Sequence, residues 1–103
     1  MSERIDSEES IKMYIEAEME KGRTVLEIMQ DSINIIQNLT PPLWREGNAL
    51  AEDRRYICLY HLSVFDKCTE ILRGDEEHLD ENLEEWIGST REKLENLIRK
   101  IGD

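Results

Sequence analysis

Three groups of side chains in this 103-residue chain have the types and spacing to do chemistry. Cys58, His61 and Cys68 are zinc-ligand types. On a helix, however, His61 and Cys68 stand two turns and ~10 Å apart, too far for ligands held ~2.0–2.3 Å from one zinc ion. Cys58 and His61 share a turn and could supply two ligands, but no second pair answers them. All three read as core residues, and neither a metal nor a cofactor is expected. Arg54, Arg55 and His61 form the second group. The structural alternative pairs Arg54 and Arg55 with Glu52, Asp53 or the acidic third helix and leaves His61 in the core. The third group is carboxylate: Glu81 with Glu84, Glu92 with Glu95, and Asp75 three residues before His78.

An arginine followed by histidine after four to six intervening residues resembles the motif of HEPN-type ribonucleases, small all-helical domains that usually act as dimers. Here five residues separate Arg55 from His61, and six separate Arg54 from it. The resemblance covers eight residues and implies acid–base and phosphate-positioning roles for these side chains in metal-independent RNA cleavage. The polar residue that often follows the family's arginine is Arg55 or Tyr56 here, a partial match. Helical pyrophosphatases hold magnesium with Glu-x-x-Glu groups on two neighbouring helices. Glu81/Glu84 and Glu92/Glu95 fall in one helix and cannot clamp a metal from opposite sides within a subunit. The run Asp75-Glu76-Glu77-His78 is loosely similar to the Glu-x-x-His ligand pair of ferritin-like proteins. It has Asp in the Glu position and lies at a helix start instead of mid-bundle. These carboxylates read as a solvated acidic face. A glycine-rich phosphate loop, a nucleophile elbow and a Ser/His/Asp arrangement are all absent from the sequence.

Helices must position these residues. Ile15, Met19, Gly22, Leu26, Met29, Ile33 and Ile36 recur at alternating spacings of four and three, a heptad seam. Asp6 and Ser7 suit the N-cap, and Glu9 follows Asp6 by three residues. The seam therefore predicts one long helix over about residues 8–38. The alternative breaks at Gly22 and restarts with Thr24 as N-cap and Glu27 as its partner. Val25, Ile28, Ile35 and Leu39 widen the stripe in the second half, predicting two neighbours there.

Thr40-Pro41-Pro42 ends this element, and a short helical turn through Leu43 and Trp44 precedes Gly47. Asn48 caps a second helix over about 48–73, stopped by Gly74. Its adjoining stripes, Leu50/Ile57/His61/Val64/Cys68/Ile71 and Cys58/Leu62/Phe65/Leu72, make it central. Tyr56 to Tyr60 have strand-forming types, but their flanks keep helical phase. Seven acids between Asp75 and Glu85 oppose the positive end of a helix dipole. A third helix follows over about 76–101, starting near Asp75 or Asp80, with a kink weighed at Gly88-Ser89. The expected fold is all-α and a single domain over 1–103: an elongated antiparallel three-helix bundle able to dimerise into a larger one.

Charge and composition bound the function. With 24 Asp and Glu against 13 Lys and Arg, the net charge is −11, which argues against general binding to a phosphate backbone. Hydrophobic residues still reach 39%, so the chain is expected to fold. No apolar run approaches the ~18 residues of a membrane span, and no signal peptide opens the chain. Two cysteines make no disulfide framework, so a reducing, cytoplasmic setting is expected. Residues 1–40 and 75–103 carry the negative charge, while 41–74 are neutral and hold the densest apolar run.

Surface chemistry remains. Tyr56, Leu59 and Tyr60 flank the main stripe of the second helix and exceed what two neighbours can cover. Asp75, Glu76, Glu77, Asp80 and Glu81 form an acidic patch that could select a partner by charge. The expected function is a non-catalytic helical protein–protein interaction or regulatory subunit that self-associates, with a dimer favoured. One alternative is a dimeric HEPN-like ribonuclease using Arg54 or Arg55 with His61. A second is an acidic decoy that occupies a basic nucleic-acid-binding protein.

Overall fold

A computed structural model describes residues 2–40, 51–74 and 80–101. They form four helices: α1 (Ser2–Glu20), α2 (Val25–Asn38), α3 (Ala51–Gly74) and α4 (Glu81–Arg99). The described residues contain no strand, and Tyr56 to Tyr60 are helical. The all-α class therefore holds, but the three-helix bundle does not, because the segment expected as one helix over 8–38 is two.

The break lies at Gly22, whose φ of +92° is in the left-handed region that glycine enters without a Cβ clash. Thr24 then restarts the helix. Its hydroxyl accepts from the Glu27 N–H at 3.1 Å, and its own N–H donates to the Glu27 carboxylate at 2.9 Å. This reciprocal box satisfies two donors that a new helix end leaves unpaired. Arg23 braces the corner through ion pairs with Glu18 before it and Asp31 after it. Local capping and the return of α1 onto the core outweigh the unbroken phase of the seam. The seam splits accordingly: Ile15, Met29, Ile33 and Ile36 are buried, while Met19 and Leu26, beside the corner, remain 43% and 44% exposed. Asp6 and Ser7 are not caps, because α1 begins upstream at Ser2 and contains both.

The other boundaries follow their capping chemistry. Asp80 is the N-cap of α4, its carboxylate accepting from the Leu83 N–H at 2.8 Å, so the later of the two expected starts is used. The helix continues through Gly88 without a break and ends at Arg99 instead of 101. α3 begins at Ala51 and includes Gly74. Asn48, Gly47 and the expected turn through Leu43 and Trp44 lie outside the described residues.

α2 and α3 are antiparallel, since Ser32 meets His61 while Leu39 meets Arg54. α3 and α4 are antiparallel as well, tied by Arg73–Glu84 at 3.1 Å and by Arg91, whose guanidinium donates to both Asp66 carboxylate oxygens at 2.7 and 3.0 Å. Among the described residues, α1 and α4 each pack on α2 and α3 and not on each other, so α2 and α3 form the central pair. The core joins Ile11 and Ile15 of α1, Ile28, Met29 and Ile36 of α2, Val64 and Phe65 of α3, and Ile87, Leu94 and Ile98 of α4. The molecule measures 44 × 33 × 26 Å. An unbroken helix over 8–38 would alone span ~45 Å.

Candidate functional site

α3 carries the cysteine–histidine group, the arginine–histidine group and the Tyr56/Leu59/Tyr60 ridge that the sequence singles out. At roughly 100° of rotation per residue, Arg54, Cys58 and Phe65 point inward while Tyr56 and Ser63 point outward. The burial agrees, with Arg54 only 5% exposed and Tyr56 65% exposed.

Arg54 donates to the carbonyl of Leu39, the C-cap of α2, at 3.2 Å. Arg55 donates to the carbonyl of Ile101, just past the end of α4. Helix C-termini hold carbonyls without intrahelical partners and a partial negative charge, which a guanidinium satisfies on both counts. Two consecutive arginines thus reach the ends of two different helices.

His61 is half-buried, with Nδ1 3.1 Å from the Ser32 hydroxyl of α2. Its ring meets Tyr14 and Tyr60 edge-on, at centroid distances of 6.0 and 5.5 Å. Burial holds the imidazole below its ordinary pKa, opposed by the Asp31 carboxylate. Arg54, Arg55 and His61 therefore serve the end of α2, the end of α4 and the junction with α1 and α2. They do not converge on one point.

Cys58 and Cys68 are fully buried, and burial pushes their thiols up to about 11 and about 12. Among the described residues, no three His, Cys, Asp or Glu side chains come close enough to hold a metal ion.

The outer face of α3 is open. Tyr56 and Leu59, one turn apart, are 65% and 46% exposed. Tyr60 is half-buried, its hydroxyl 3.0 Å from the Ser10 hydroxyl on α1, so this member of the expected ridge is held against a neighbouring helix. Two grooves run beside α3. One, of about 480 Å³, is lined by Glu8, Glu9, Lys12, Met13 and Glu16 of α1 with Lys67 of α3. The other, of about 350 Å³, is lined by Arg55, Leu59 and Leu62 of α3 with Glu95, Ile98 and Arg99 of α4. Met13, as exposed as Tyr56, was not singled out from the sequence. It lies off the heptad seam, and no spacing rule marks it. In the expected acidic patch, Asp80 and Glu81 are exposed, while Asp75, Glu76 and Glu77 lie outside the described residues.

No family model, curated protein or solved structure matches the chain. No helix among the described residues is long and apolar enough to cross a membrane.

Proposed function

We propose that this chain is a non-catalytic helical interaction or regulatory subunit that self-associates through the outer face of α3. The observation that carries the reading is the pair Tyr56 and Leu59, large apolar side chains standing together in solvent on a helix whose opposite face builds the core. Covering one such side chain contributes about 1.5–3 kcal/mol, and an aromatic anchor beside a groove is the usual centre of a binding face. Asp80 and Glu81, with Asp75, Glu76 and Glu77, add electrostatic selectivity. Asp80 does so from its place as the cap of α4. The engagement of Arg54 and Arg55 with helix ends supports a structural role for the arginines of the ribonuclease-like motif.

Sedimentation equilibrium tests the proposal. The chain is expected to sediment as a dimer, and Tyr56→Glu or Leu59→Glu to shift it to monomer with unchanged helical circular dichroism. A strict monomer at high micromolar concentration removes the self-association. RNA cleavage that disappears with His61→Ala while the fold persists removes the non-catalytic assignment.

A further inference from the structure

The charges beside the α3 ridge are asymmetric, and that asymmetry sets how two copies can meet. The groove on the α1 side carries three carboxylates (Glu8, Glu9, Glu16) against Lys12 and Lys67. The groove on the α4 side carries Arg55 and Arg99 against Glu95. The two clusters overlap in height along α3 without coinciding. Ser10, beside Glu9, bonds Tyr60, level with the Leu59 and Leu62 that share the other groove with Arg99, while the α1-side groove meets α3 further along, at Lys67.

Two copies of one face pack about a two-fold axis. An axis crossing α3 sets each α1 against its own copy, so that Glu8 and Glu9 face the same carboxylates. An axis running along α3 lays α1 of one copy over α4 of the other. Glu8 and Glu9 then face Arg55 and Arg99, and Lys12 faces Glu95. Like charges brought together in a contact disfavour the first arrangement, and opposite charges favour the second. Resting on the self-association proposed above, we infer that the occupant of this face is a second copy of the chain, related by a two-fold axis along α3. The two α3 helices lie side by side in the same direction, with Tyr56 and Leu59 of both copies at the centre and each α1 crossing the partner's α4.

Two engineered thiols and a charge swap test this geometry in the full chain. Tyr56→Cys and Ser63→Cys replace exposed residues two turns apart on the ridge. With the axis along α3, each variant forms a disulfide-linked dimer under mild oxidation, while the parent chain, its own cysteines buried, does not. An axis crossing α3 permits a self-disulfide at one of the two heights at most. Glu9→Arg alone and Arg99→Glu alone should each weaken the dimer about tenfold, and the two combined in one chain should restore it to within about threefold. A dimer that cross-links at only one position, or a double variant weaker than either single one, overturns the axis and leaves self-association standing. A chain that is monomeric at every concentration overturns both.

Discussion

His61 lies where α1, α2 and α3 meet, and its surroundings favour the neutral imidazole. An unfolded chain has no such preference and binds the proton near pH ~6.5. Its contribution to stability is therefore complete above that pH and is lost as the pH falls towards the lower folded value. A proton NMR titration should place the His61 midpoint below 6.5, and His61→Gln should flatten the acid side of the stability profile. The two cysteines make a parallel case. With thiols raised to about 11 and about 12, Cys58 and Cys68 should resist an aromatic disulfide reagent at pH 8 in the folded chain and react once denaturant is added. Prompt labelling without denaturant would contradict their burial. The burial of Cys58 and Cys68 was readable from the apolar stripes of one helix, whereas the half-buried seat of His61 against Ser32 was not. Nor were the destinations of Arg54 and Arg55, since which helix ends arrive beside them depends on the tertiary fold and not on the local pattern.

The corner between α1 and α2 is where two readings of one segment competed. Seven seam positions kept phase across Gly22, yet phase matters only while a helix has a partner along its whole length. The capping residues Thr24 and Glu27 act within one turn and need no partner. Both signals were legible in the sequence. What was missing was the knowledge that α1 folds back onto α2 and α3. A Cβ at Gly22 would meet no neighbour, so Gly22→Ala tests the backbone conformation alone. It should cost about 1–2 kcal/mol, the penalty of a left-handed L-residue. Thr24→Ala should cost about 1 kcal/mol through loss of the cap. Urea denaturation reads both values. If Gly22→Ala were stabilising, the chain would be running straight through as one helix.

Across the whole molecule, the neutral stretch 41–74 contributes α3, half of the central pair, while the acidic ends contribute the outer α1 and α4 and also α2, the other central helix. The central place of α3 was visible in the distribution of charge, and that of α2 was not. The open face of α3 was visible in part: the surplus of Tyr56 and Leu59 could be read from the stripe, whereas the attachment of Tyr60 to Ser10 could not, because it depends on where a helix fifty residues earlier comes to rest.

Among the described residues, α1 gives the core only Ile11 and Ile15, fewer side chains than α2, α3 or α4, and is otherwise tied by the Arg23 corner and the Ser10–Tyr60 bond. Fluctuations should therefore release the first helix as a separate arm while the remaining three stay assembled. Deuterium uptake followed residue by residue should show amides of 8–20 exchanging well ahead of those in 58–68, with the corner at Gly22 dividing the fast segment from the slow one.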